Sequence, residues 1–440
     1  EYTEDLYVPG YFEVDIGVGE SIYFSAGVEE ADPDTLAQLF AEERKIRTPR
    51  EDFRSCLLNA ALQFYYRPDA THGYLLAGYP WFGVRARDLF IALPGCTIYA
   101  DAPERFYRIM DTVLPDMRAF MRQEGISKEI RNINEGDIGL WAIWTRQEYA
   151  RWSSLPDMVS RYGDFLDELI HYYLRNVHPN LRIDDNGLCV MTGDGRPLSW
   201  MDAKINGQAV VRREGYLVEV NALWYNALCF YREALPQKWT PELEELLGRV
   251  QQSFCDTFIN QHGYLFDYVP PHTSWRDWSV RPNMVFATSL PYSPLPKATR
   301  RSVLEIITRE LRTPKGLRSL SPKSDGYQPQ CHGTQWQREQ SYYNGSVWPW
   351  LLGPYFEACI KLYGRSAISF IENTLIGMEE ELQQHGVGTV SELFDGNPPF
   401  KGRGAISFAM SVGELLRSLA LLEEAKSKYD TQILPIIRYE

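Results

Sequence analysis

The stretch Ser391-Glu392-Leu393-Phe394-Asp395-Gly396-Asn397-Pro398-Pro399-Phe400 holds two carboxylates on a backbone with little freedom. The proline pair fixes φ and removes two donors, and Gly396 permits a sharp turn, so the acids are held rather than solvated at random. A stiff loop that presents a carboxylate is how a scaffold aims an acid or a base. An acidic helix start favoured by the macrodipole uses the same residue types, so both readings of Glu392 stand on the stretch alone. A second acid, Asp137, opens the aromatic-rich run Ile138-Gly139-Leu140-Trp141-Ala142-Ile143-Trp144. It can cap that helix, or, buried beside Trp141 and Trp144, have its pKa raised enough to serve as a general acid.

Four further constellations pair carboxylates or amides with aromatic rings. Trp81 precedes the Arg87-Asp88 pair, in which a planar guanidinium fork and a carboxylate can hold several hydroxyls or simply pair with each other. Trp200 and Asp202 look like a stacking platform with a hydroxyl acceptor. Glu219, Asn221 and Trp224 open a helix in the same manner, although Trp224 at helical spacing suits a core equally well. Arg281, and later Asn344 with Trp348, sit in polar-aromatic loops that feed apolar runs. Flat aromatic faces suit the C–H faces of sugar rings, and polar neighbours suit their hydroxyls.

These groups need elements to position them, and the apolar periodicity predicts about twelve helices. They fall near 52–66, 87–99, 104–124, 136–149, 157–174, 217–232, 241–261, 283–290, 296–312, 346–363, 366–383 and 405–424. Short plain turns alternate with long loops rich in Trp, Tyr, Gly, Pro and Asp at 184–215, 263–282 and 313–345. That alternation predicts a ring of paired helices, closed at one end by tight turns and carrying its site on the long loops at the other. Before residue 32 the texture differs. Tyr11 to Ile16 and Ser21 to Ser25 read as short strands, so 1–31 is expected to be the end of an N-terminal β domain and 32–440 the helical body.

Composition narrows the chemistry. The 440 residues are 44% hydrophobic and 23% charged, an ordinary globular balance, and the net charge of −13 argues against nucleic acid and anionic membranes. It suits a neutral ligand such as a sugar. Seven scattered cysteines without a CxxC pair predict free thiols and a reducing, cytoplasmic setting. No segment has membrane-spanning length. The seven histidines lack metal-ligand spacing, there is no nucleophile elbow and no phosphate loop, so neither a metal nor a cofactor is expected.

Taken in order, these motifs resemble the glucosidase domain of glycogen debranching enzymes, the amylo-alpha-1,6-glucosidase family, in its shorter prokaryotic arrangement. The resemblance rests on Arg87-Asp88-Leu89-Phe90-Ile91-Ala92-Leu93, Ser199-Trp200-Met201-Asp202-Ala203-Lys204 and Glu219-Val220-Asn221-Ala222-Leu223-Trp224-Tyr225-Asn226. Arg281-Pro282-Asn283, Asn344-Gly345-Ser346-Val347-Trp348-Pro349-Trp350 and Ser391-Glu392-Leu393-Phe394-Asp395-Gly396 complete it. It implies an all-α (α/α)6 barrel and removal of α-1,6-linked glucose at branch points of glycogen or a related α-glucan, the alternatives being a glucoamylase- or trehalase-like α-glucosidase on the same barrel or a non-catalytic glycan-binding protein. It further implies Asp137 as general acid, Glu392 as general base, and Arg87 with Asp88 as a sugar clamp. Trp200, Asp202, Glu219, Asn221, Arg281 and Trp348 are the sugar contacts it suggests, and Trp81, Trp141, Trp224 and Asn344 beside them are expected to bind substrate too. The chain departs from the family at Arg85-Ala86, where Trp-Gly is usual.

Overall fold

The computed structural model describes residues 7–8, 10–27, 30–47 and 49–430, and among these the helical periodicity is realised in fourteen α-helices. They are α1 (Leu36–Ile46), α2 (Phe53–Phe64), α3 (Ala86–Cys96), α4 (Pro103–Met121), α5 (Ile138–Trp152), α6 (Leu155–Leu174) and α7 (Val218–Ala234). The second half adds α8 (Pro241–Phe258), α9 (Phe286–Ser289), α10 (Lys297–Glu310), α11 (Gln335–Tyr342), α12 (Leu352–Tyr363), α13 (Ile368–Glu379) and α14 (Ala409–Asp430). Twelve occupy the expected positions. The exceptions are α1 and α11, and α11 lies inside a stretch the periodicity left as loop. Its start is a capping box, with the Thr334 side chain accepting from the Gln337 backbone and the Gln337 side chain accepting in return.

Six helices, α3, α5, α7, α9, α12 and α14, each pack against the next, and α14 packs back against α3, closing the cycle. The helices α2, α6, α8, α10 and α13 lie against its members. Composition follows position: α3 and α7 are buried around nearly their whole circumference, whereas α8 and α10 bury one stripe. The tightest crossing is α3 on α14, where a Cβ at Gly95 would run into the Gly413 backbone. Two glycines facing each other allow that approach. Within the ring, the buried Arg417 on α14 donates to Glu414 of its own helix and to Glu357 on α12 (2.8 Å), so its charge is matched where water cannot reach.

The loops at one end of the cycle are not structureless. They form short antiparallel ladders, the largest a five-stranded sheet in the order Arg312–Thr313, Gly316–Arg318, Val347–Trp348, Leu393–Phe394, Gly402–Arg403. A second pair joins Gly78–Tyr79 to Ser407–Phe408, and a third joins Tyr216–Leu217 to Tyr268–Val269. The strands expected at 11–16 and 21–25 do not form, and residues 10–27 run as irregular chain. Their apolar side chains stay largely in solvent, with Tyr11 and Phe12 more than four-fifths exposed, and their ring contacts are Phe12 with Phe24 at 5.5 Å and Tyr23 with Phe40 at 5.4 Å. Residues 1–6 of that expected β segment lie outside the described residues. All seven cysteines are free. Among the described residues, no helix is long and apolar enough to cross a membrane, and no cluster of three His, Cys, Asp or Glu could hold a metal ion.

Candidate active site

The five-stranded sheet fixes the loop that carries Glu392. The residue directly precedes the strand Leu393–Phe394, which pairs with both Val347–Trp348 and Gly402–Arg403. Its neighbour Asp395 is turned away and takes a two-pronged hydrogen bond from Arg403 (3.0 and 2.8 Å), which secures the loop. Glu392 itself is 1% exposed. The Tyr342 hydroxyl donates to its Oε1 and the Ala405 backbone N–H to its Oε2 (2.8 Å). Burial pushes the Glu392 carboxyl up to about 7, against the two hydrogen bonds and the nearby Arg85, with Asp88 adding to the rise. Glu392 is thus poised near neutral pH, where a base is most effective.

Gly404 makes room for this carboxylate. Its φ is +66°, and a Cβ there would collide with Glu392 Oε2. Gly404→Ala is therefore expected to cut kcat at least about tenfold and cost about 1–2 kcal/mol of stability through the left-handed backbone. An unchanged kcat in a folded variant, measured beside its unfolding curve, would remove Gly404 from the site.

Asp137, expected to offer a protonatable carboxyl to the sugar, is placed elsewhere. It is 0% exposed. Arg87 donates to both its oxygens, Nε to Oδ2 at 2.7 Å and Nη2 to Oδ1 at 2.8 Å, and the Trp141 indole N–H adds a third bond to Oδ2 at 3.1 Å. Closed in by three donors and fully buried, this carboxylate has no open side toward a substrate. It does not line the cavity described below, and it makes no capping bond to α5 either. Its role is to aim Arg87.

That cavity, about 1430 Å³, opens among the long loops. Trp81 stands at its rim, 61% exposed, and Asp202 and Arg87 line its wall. Asp202 is about one-quarter exposed. It accepts from Arg85 at Oδ2 and from the Tyr343 hydroxyl at Oδ1 (2.9 Å). Arg85 also reaches Asp88 (3.2 Å) and lies over the Phe82 ring at 5.3 Å from its centroid. Beyond the cavity wall a small void is bounded by Arg85, Arg87, Asp88, Glu392, Trp200 and Trp348, among others. Asp88 is buried there with Oδ1 lacking any hydrogen-bond partner, an acceptor left open toward a hydroxyl. Burial raises its pKa, against Arg85.

The remaining expected contacts divide cleanly. Trp200 and Trp348 bound the void as part of an aromatic stack: the Trp200 indole donates to Asn283 (2.6 Å), and Trp348 lies parallel to Tyr343 at 5.1 Å. The others serve the fold. Glu219 is locked on Arg213 by two bonds of 2.6 and 2.7 Å. Asn221 staples the Cys189 backbone through both its N–H and its carbonyl, and the Trp224 indole donates to the Gly187 carbonyl inside the core. Arg281 donates to the Ser319 and Tyr343 carbonyls and to Asn344, so Arg281 and Asn344 together hold the loop that presents Tyr343. Trp141 packs edge-on against Trp144, Phe286 and Trp350 and touches the site only through Asp137. Each of these was a polar group opening a helix beside aromatics, a signature that a buried structural bond shares with a ligand contact.

Four contributors escaped the sequence reading as site residues: Arg85, Tyr342, Tyr343 and Glu135. Arg85 was noted only as a departure, yet it links Asp88 to Asp202. Tyr342 ends α11, whose Thr334-x-x-Gln337 box was a legible start signal. Glu135 lines the cavity with its carboxyl raised by burial and by Asp137 and Asp202, against Arg87 and Arg196.

A family model described as amylo-alpha-1,6-glucosidase matches residues 59–417. Among solved structures, a GH63 mannosylglycerate hydrolase from Thermus thermophilus in complex with Tris is similar at 13% identity and a TM-score of 0.57, over 83% of this chain and 99% of that one. The same hydrolase in complex with glucose is similar at 13% identity and 0.57, over 85% and 100%. A wild-type glycosidase is similar at 14% identity and 0.53, over 84% and 97%. At these identities the likeness concerns the fold. No curated protein matches the chain.

Proposed function

Because the chain belongs to the amylo-alpha-1,6-glucosidase family, and so to the glycoside hydrolases, we propose that it removes α-1,6-linked glucose from branched α-glucan with inversion of configuration. In this reading the closed helical cycle is an (α/α)6 barrel and 32–440 is its catalytic unit. The general acid is Asp202 rather than Asp137, and Glu392 remains the base. The observation that carries the assignment is the position of Arg85. It borders both the cavity, where it holds Asp202, and the void, where its charge acts on Glu392.

The chemistry follows from that placement. The void as it stands has about 10 Å³, the room of one water molecule, so a glucosyl ring seated there pushes its walls apart to reach the open oxygen of Asp88, while its leaving group faces Asp202 in the cavity. Asp202 protonates the glycosidic oxygen as the C–O bond breaks. Glu392, from the far side, takes a proton from the water that attacks the anomeric carbon. Tyr342 and the Ala405 N–H, both donating to Glu392, keep it in the form able to accept that proton.

Inversion of an α-linkage releases β-glucose. Incubation with a branched limit dextrin, followed by NMR of the first product formed, is expected to show glucose as the β-anomer. An α-anomer would overturn the inverting arrangement, and cleavage of α-1,4 chains with branch points left intact would overturn the α-1,6 preference.

A further inference from the structure

The cavity wall carries a charge opposite to that of the chain. The sequence bears a net −13, yet seven cationic side chains line the cavity against three carboxylates, Glu135, Asp202 and Glu339. Three of the cations are matched by carboxylates: Arg85 by Asp88 and Asp202, Arg87 by Asp137, and Arg403 by Asp395. Four are not. Arg196 donates only to the Gly193 carbonyl (3.1 Å) and Arg338 only to the Gly333 carbonyl (2.6 Å). The ammonium groups of Lys204 and Lys401 make no hydrogen bond or ion pair with any described residue.

These four come from four separate segments. Arg196 lies in the loop after Met191, Lys204 in the strand Lys204–Ile205, Arg338 on α11, and Lys401 just before the strand Gly402–Arg403. A solvated helix face places like charges on one element. Here separate elements converge on one concave wall, and α11 packs directly on the Lys204 strand. Glu339, the carboxylate that Arg338 and Lys204 act on, is itself weakened: burial raises its pKa, with Asp202 adding and Arg338 and Lys204 opposing. A concave surface lined by one sign of charge concentrates the field and draws ions of the other sign.

Resting on the glycosidase reading above, we propose that the cavity is an anion subsite and that the leaving part of the substrate bears a carboxylate or a phosphate monoester. The leaving side is the one addressed because Lys204 follows Asp202 by two residues, on the wall where the acid meets the departing oxygen. The substrate class is then an acidic α-glucoside, or an α-glucan carrying an anionic group beyond the cleaved bond.

Three α-glucosides sharing one glucosyl unit test this: glucosylglycerol, glucosylglycerate and glucosylglycerol phosphate. At low salt, kcat/KM is expected to be at least tenfold higher for one or both acidic compounds than for the neutral one, with the advantage shrinking as salt rises; which one leads identifies carboxylate or phosphate. In the Lys204→Gln/Arg338→Gln and Lys401→Gln variants the acidic-to-neutral ratio is expected to fall toward one. Equal kcat/KM across the three compounds overturns the anion subsite and leaves the glycosidase reading intact. Glucose from none of them, nor from limit dextrin, overturns the glycosidase reading. In that case calorimetry with glycerate, inorganic phosphate and glycerol decides the subsite directly, since binding of either anion that the lysine and arginine variants lose sustains it, and indifference to charge overturns it.

Discussion

Asp202→Asn is expected to lower glucose release by about 10²–10⁴-fold with the protein still folded, because a positioned general acid contributes on that scale. Asp202 lies at the cavity wall and its loss strands no group in the interior: Arg85 keeps Asp88 at 3.2 Å. Asp137→Asn should behave differently. It takes the charge from a fully buried carboxylate on which the Arg87 fork is closed, and breaking such a pair typically costs about 3–5 kcal/mol. Its main result is thus a lower unfolding temperature, with a smaller loss of kcat per folded molecule than Asp202→Asn. The two are compared by unfolding curves and by kcat on the same dextrin. Should folded Asp137→Asn lose as much turnover as Asp202→Asn, or more, the acid's role would return to Asp137.

Glu392→Gln should abolish turnover and at the same time stabilise the protein at alkaline pH. The native carboxyl holds its proton up to about 7, whereas the unfolded chain releases it near 4.5. Between those values the native state binds more protons, so stability from this group is full below about 4.5 and is lost as pH rises through 7. The shift corresponds to roughly 3 kcal/mol of strain carried by the ionised group above pH 7. Glutamine cannot ionise, yet it can still accept from the Ala405 N–H. Its unfolding temperature should exceed the parent's at pH 8 and converge with it near pH 4.5. In the parent, kcat/KM on a neutral substrate should fall below about pH 7 as the base takes up its proton. A variant no more stable than the parent at pH 8 would show that Glu392 bears no burial strain.

Much of the helical body was readable, because twelve amphipathic or wholly apolar runs carry their period in the chain. Loops hid the rest. The helix α11 has eight residues, too few for periodicity to register, and only its Thr334–Gln337 capping box marks it. Motif position could locate Glu392, Arg87, Asp88 and Asp202 but could not rank Asp137 against Asp202. Both are Asp beside Trp, and what separates them is the long-range partner, Arg87 fifty residues from Asp137 against an open cavity for Asp202. Glu219, Asn221 and Trp224 read as ligand contacts for the same reason, since their partners Arg213, Cys189 and Gly187 become neighbours only on folding. Net charge hides pattern in another way: a sum over 440 residues averages away the cations that four distant segments bring to one wall.

Tyr342 and Tyr343 are consecutive residues, their rings 5.1 Å apart and nearly perpendicular, and one hydroxyl bonds Glu392 while the other bonds Asp202. The gap between the proposed base and acid is therefore spanned by two adjacent tyrosine side chains joined by one peptide unit. In a glycosidase that gap decides whether a water fits beneath the sugar or the carboxylate itself attacks. Stereochemistry, in this protein, would be inherited through a dipeptide: both carboxylates are tied to the same two residues, and one residue inserted between the two tyrosines would reset the anomer released.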